Sequence, residues 1–244
     1  MINIRVAVVA VPLVMGLVSG ASAQGVEGVR SVSVSVGTGL GLGGNVIEEG
    51  VGTIEGTPAV FVEQAYSNHY SDGLRVRFVG SYGLDYNKEA FASFAYARFN
   101  GTERITGSVG GFPLYTRFSN GDAFDIDGGL RYYFLPEGPT RTYVAGLIGL
   151  RFLQSTDVTI RIQELGLTLE DQPYFESSTL FFVGGDAGVS RDLSDTLSIG
   201  AEMGIRFHGK PGAEVVFDDP ALAGVNDTGS RWSLPISAFL TVRF

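Results

Sequence analysis

The sequence predicts an all-β protein: an eight-stranded antiparallel up-and-down transmembrane β-barrel preceded by a cleaved signal peptide. Three observations carry that expectation. The first 23 residues are built like an export signal, eight later segments alternate apolar and polar side chains, and the connections between them alternate long and short.

The export signal comes first in the chain. Met1 to Arg5 is a short basic start, Val6 to Val18 is an apolar run, and Ala21-Ser22-Ala23 forms an A-x-A cleavage site before Gln24. The run is too short to cross a bilayer comfortably as a helix, and no later stretch approaches 18 uninterrupted apolar residues. The expected division is a signal peptide at 1–23, a short periplasmic segment at 24–30 and a barrel over 31–244.

Beyond the signal, a two-residue period dominates. In the last segment Leu234, Ile236, Ala238, Leu240, Val242 and Phe244 share one face, while Ser233, Ser237, Thr241 and Arg243 share the other. Over 196–208, Leu197, Ile199, Ala201, Met203, Ile205 and Phe207 oppose Ser198, Gly200, Glu202, Gly204, Arg206 and His208. Val32, Val34 and Val36 likewise oppose Ser31, Ser33 and Ser35. Eight segments follow this rule, at 31–42, 74–86, 89–103, 122–134, 141–154, 179–191, 196–208 and 231–244. Each exceeds the roughly 9–11 residues that a tilted strand needs to cross hydrocarbon. In 89–103 the parity is blurred, because Phe91, Phe94 and Phe99 do not fall on one side.

Face chemistry separates a barrel from a soluble sandwich. A solvated sheet face carries abundant Lys and Glu. Here the polar faces are Gly, Ser and Thr with isolated charges, and the only lysines, Lys88 and Lys210, lie outside the strand interiors. The apolar faces then look into lipid. Long connections at 43–73, 104–121, 155–178 and 209–230 alternate with short ones at 87–88, 135–140 and 192–195. That pattern puts four surface loops at one end and both termini at the other, periplasmic, side. Tyr82, Tyr86, Tyr132, Tyr133, Phe134, Tyr143 and Trp232 are expected in interfacial girdles.

Net charge is −9, about −10 once Arg5 leaves with the signal. So acidic a chain has no electrostatic reason to bind nucleic acid. Cysteine is absent, which excludes disulfides and thiolate metal sites. By strand parity Arg75, Arg77, Asp125, Asp127, Arg131, Asp186, Glu202, Arg206 and Arg243 point inward. Eight strands enclose a space that side chains nearly fill, and charges there must pair. The expectation is an Arg–carboxylate network that plugs the lumen.

The export signal, the eight alternating segments and the ending Leu240-Thr241-Val242-Arg243-Phe244 resemble the outer-membrane β-barrel superfamily of Gram-negative bacteria that includes the OmpA transmembrane domain. The resemblance implies an outer-membrane location among lipid and lipopolysaccharide. Leu240, Val242 and Phe244 would form the signal read by the barrel-assembly machinery. It implies architecture rather than activity: a structural or surface-interaction role through the loops, with no cofactor and no metal. A periplasmic peptidoglycan-binding domain is missing from the pattern.

Other readings are testable. Gly39-Leu40-Gly41-Leu42-Gly43-Gly44 satisfies G-x-G-x-x-G, but no helical stripe follows it to receive a pyrophosphate. His69-Tyr70-Ser71 resembles the H-x-S element of outer-membrane lipid A deacylases, in which a histidine base activates a serine. Here it precedes the second strand instead of lying on a late one, and only Glu63 offers itself as an orienting acid. A small-solute pore is the other alternative. His208 is expected as a solvated residue at the lumen mouth, and Asp218-Asp219 with Asn226-Asp227 supply oxygens suited to Ca²⁺ without a full loop motif.

Overall fold

The computed structural model describes residues 26–244 except 72, 135, 137, 214–216 and 218, and of Ser71 only the backbone. The export segment at 1–23 lies outside the described residues. Eight long strands make the wall: β1 (Arg30–Gly43), β2 (Arg75–Asp85), β3 (Lys88–Gly101), β4 (Gly121–Phe134), β5 (Thr140–Leu153), β6 (Ser178–Asp192), β7 (Leu197–His208) and β8 (Arg231–Arg243). Each pairs antiparallel with its sequence neighbour. β8 returns to β1 with Ser31 opposite Arg243 and Val36 opposite Ala238. The ring is closed.

Side-chain parity runs as the alternation requires. Ser31, Ser33 and Ser35 are buried, while Val32, Val34 and Val36 are exposed on the outer wall. Val34 is 40% exposed and Ile199 48%, so the apolar residues do not converge on an interior. Phe78, Phe94, Ile126, Ile148, Val183 and Met203 continue the belt around the ring. Soluble monomers rarely leave so continuous an apolar band to water; one of this extent marks a surface that meets lipid or another protein. Strand β3 resolves its own ambiguity: Glu89, Phe91, Ser93, Ala95 and Ala97 point inward, and Phe94 points out.

One end of the ring carries short turns. The segment entering β1 folds beneath that end, with the Val26 amide donating to Tyr86 O (3.0 Å) and the Gly28 amide to Gly83 O (2.9 Å). Val26 is buried against Tyr133 and Tyr143 and closes the lumen there. Those two tyrosines, expected in the outer girdle, are inward-facing instead, because their ring positions share parity with Arg131 and Arg141. Tyr82, Tyr86, Tyr132, Phe134 and Trp232 do lie exposed on the outer wall or its ends.

The other end is covered by a second layer. The first three long connections each contribute a hairpin, and these join edge to edge in a six-stranded sheet: Gly50–Ile54 with Thr57–Phe61, Glu103–Val109 with Phe112–Phe118, Thr156–Ile162 with Leu167–Phe175. Two of the hairpins turn through two-residue loops held at positive φ, at Glu55 (48°) with Gly56 (77°) and at Gly110 (59°) with Gly111 (85°). Beneath the sheet lies a core of its own, including Val46, Phe61, Leu114, Phe118, Ile160 and Tyr174. The fourth connection adds Phe217, Leu222 and Val225. The four connections therefore form one folded cap.

If the belt faces hydrocarbon, a charge in its middle is costly. Ile148→Arg should lower unfolding stability in lipid vesicles by about 2–4 kcal/mol, measured by urea titration. An unchanged midpoint would show that the outer wall is not in lipid.

Candidate functional site

The lumen is organised around Arg77 on β2, whose side chain is 1% exposed. Its Nη2 donates to Asp127 Oδ1 at 2.6 Å, its Nη1 to Glu202 Oε1 at 3.0 Å and Asp186 Oδ2 at 3.4 Å, and its Nε to Ser93 Oγ at 2.8 Å. One guanidinium thus ties β2 to β3, β4, β6 and β7. Glu202 also accepts from the Tyr143 hydroxyl at 2.7 Å, and Arg206 Nη2 lies 2.6 Å from Asp186 Oδ1. Phe91 lies under Arg77 and Arg131, with centroid distances of 5.5 and 5.2 Å. A cation stacked on a ring needs fewer hydrogen bonds to tolerate burial.

Two further layers flank this one. Towards the short turns, Arg131 pairs with Glu89 at 2.5 Å, the Tyr133 hydroxyl donates to Glu89 at 3.0 Å, and Asp192 receives both Arg141 (2.9 Å) and Arg243. Towards the cap, Arg151 grips Asp125 with two bonds of 2.7 and 2.8 Å, and Arg75 reaches the same carboxylate at 3.3 Å. Eight of the nine inward charges named from parity are buried in these layers. The ninth, Arg243, is partly exposed at the turn end and meets Asp192. Glu89, Arg141, Arg151 and Asp192 also take part, although parity reasoning did not single them out. The mouth expected at His208 does not exist: the ring is buried at 2% exposure beneath the cap, and its Nε2 lies 2.9 Å from Ser233 Oγ.

His69 belongs to the cap. It closes the single-turn helix Tyr66–His69, is 0% exposed and packs edge-on against Phe118 at 5.1 Å. Neither ring nitrogen has a well-formed hydrogen bond among the described residues. Burial, helped by the nearby Arg104 charge, pushes its pKa down to about 4. The ring is therefore neutral at physiological pH and walled off from bulk lipid or water. Ser71 lies on the two-residue strand paired with the end of β3; its side chain lies outside the described residues.

In the last connection Asp219 accepts from the Ala221 amide, the Thr53 amide and the Thr53 hydroxyl, which hold its carboxyl below the usual range. Asp227 pairs with Lys210, and Asn226 donates to Tyr174 O at 2.8 Å. These groups are committed to holding the cap together. Asp218 lies outside the described residues. No group of three His, Cys, Asp or Glu side chains suited to a metal gathers among the described residues. Nor is any described helix long and apolar enough to cross a membrane.

No protein-family model matches the chain, and no curated relative matches it. Solved structures do. The outer membrane protein OprG from Pseudomonas aeruginosa is similar with a TM-score of 0.54 and 11% identity, over 92% of this chain and 99% of that one. Neisserial surface protein A is similar with a TM-score of 0.49 and 15% identity, over 89% of this chain and all (100%) of that one. The fold is the closed eight-stranded barrel of outer-membrane proteins.

Arg77→Leu strands three carboxylates without their shared cation and should destabilise the barrel by about 3–5 kcal/mol, seen as a lower urea midpoint. A midpoint within experimental error of the parent would show that the central layer does not depend on Arg77. His69 gives a pH effect of known sign. An unfolded cap takes up a proton below about pH 6.5, whereas the folded cap refuses it until about pH 4. Cap stability is complete above that window and falls as pH drops through it. Limited proteolysis of the hairpins should be faster at about pH 5 than at about pH 7.5, and His69→Phe should remove the difference.

Proposed function

We propose that this protein is a non-enzymatic barrel of the bacterial outer membrane, with the cap on the outer side and both termini in the periplasm. Its role is structural and interactive: a rigid plugged cylinder that holds a folded surface layer. The observation that carries this reading is the Arg77 layer, which spans the lumen with bonds to four other strands. A cross-link through the middle of the channel stiffens the ring and leaves no open solute path. The cap supports the same reading, since three hairpins joined in one sheet display their tips on a fixed frame instead of as free loops.

The partners follow from the surfaces. The apolar belt fits outer-membrane lipid, and lipopolysaccharide would surround the end that carries the cap. Val242 and Phe244 lie exposed at the chain end, with Leu240 half-buried on the same face, an arrangement suited to the barrel-assembly machinery. The esterase alternative gains no support from His69. A general base must reach the proton it removes, and this ring is enclosed by the aromatic core of the cap.

Membrane fractionation should find the protein in the outer membrane, with a gel mobility that changes on boiling. Planar-bilayer recordings should show negligible conductance. Recovery from the soluble periplasm, or large stable channels, would overturn the location or the plugged lumen respectively.

A further inference from the structure

The lumen charges are not evenly matched along its length. In the central layer Arg77 and Arg206 face three acids, Asp127, Asp186 and Glu202. Towards the cap the balance reverses. Arg75 and Arg151 both rely on Asp125, and Arg231 makes no ion pair with a described carboxylate. Arg231 rests instead on the rings of Tyr66 (4.5 Å) and Phe175 (5.2 Å).

These groups surround a chamber between the lumen and the cap. Arg75, Arg98, Arg151, Arg206 and Arg231 line it together with His208, and no Asp or Glu is among its described lining residues. Its volume of about 50 Å³ holds roughly four waters or one small oxyanion. Several nitrogens on its walls are buried with no hydrogen-bond acceptor among the described residues: Nε and Nη2 of Arg231, Nε of Arg206, and Nδ1 of His208. Unsatisfied donors of this kind are costly when dry. The contrast with the turn-end cavity is direct, since Glu89 and Glu202 there stand among the arginines.

We infer that this chamber is a binding site for a small oxyanion of phosphate or carboxylate type. Guanidinium groups present planar, paired donors that match two oxygens of such an ion. Arg231 supplies two donors not already used, Nε and Nη2, Arg206 adds only its Nε because Nη1 and Nη2 are held by Gly185 O, Ile205 O and Asp186, and His208 Nδ1 offers one more if its neutral tautomer carries the proton there. A smaller hollow on the flank, lined also by Asp122 and Glu176, shares Tyr66, Phe99, Leu153 and Arg231 with the chamber. The site rests on lumen geometry and does not depend on where the barrel resides in the cell.

The full chain folded in detergent, titrated calorimetrically with inorganic phosphate at low salt, tests this. Saturable binding is expected. Arg231→Gln should weaken it at least about tenfold, Arg231→Lys should weaken it less, and Arg161→Gln on the exposed cap surface should leave it unchanged. Mobility change on boiling checks independently that each variant is folded. Absence of saturable binding by the parent would overturn the site, as would equal affinity in the parent and a folded Arg231 variant. Neither result would touch the proposed membrane location, which fractionation reads separately.

Discussion

An apolar outer wall gives the backbone no hydrogen-bond partner except the next strand, and everything else in this molecule is arranged within that constraint. The ring has to close, so β8 must meet β1. Closure of only eight strands leaves a narrow interior, and the side chains on alternate positions must fill it. Serine and glycine on β1 make room, and arginine with aspartate and glutamate occupies what remains. Burying so many charges is favourable only when each finds partners from several strands, as Arg77 does. The polar interior is thus the counterpart of the oily exterior, imposed by the same two-residue period.

That period explains how much of the fold can be read without coordinates. The eight strands fall within two residues of the expected segments, because a shift by one residue would exchange the wall and lumen faces. Segment 89–103 was unclear from its phenylalanines alone. The signal that settles β3 is Phe91 stacked between two inward guanidinium groups, a contact made across strands and invisible in a linear pattern. Arg151 and Arg141 were overlooked for a related reason. Strand β5 has apolar residues at mid-length on both faces, Leu147 inward and Ile148 outward, and its inward arginines stand only near its ends, so its polar side does not announce itself.

Of the cap, the sequence offers only Pro58-Ala59-Val60-Phe61-Val62 as a run that extends a sheet beyond the membrane, and that run forms the strand Thr57–Phe61 of the cap sheet. Its hairpins sit where long connections are expected at the surface, and length alone reads as loop. Yet the alternation Val158, Ile160, Ile162 carries the same two-residue signature as the wall, and the core it reports is buried. What a linear reading lacks is the third dimension: three hairpins distant in sequence become one sheet only because the barrel holds their bases side by side. Tyr133 and Tyr143 show the opposite error. Aromatic residues near strand ends suggested girdles, but parity places these two against Val26 in the interior.

Because the cap draws its core from all four connections, no single one of them is an independent module. Val46, Phe118, Ile160 and Leu222 come from four stretches of chain that share one dry interior. Length changes are tolerable at the hairpin tips, where Gly56 and Gly111 turn the chain, and disruptive anywhere nearer the wall. Such a surface can diversify its outermost residues while its frame stays fixed, which is the division of labour seen wherever recognition is built on an immobile scaffold.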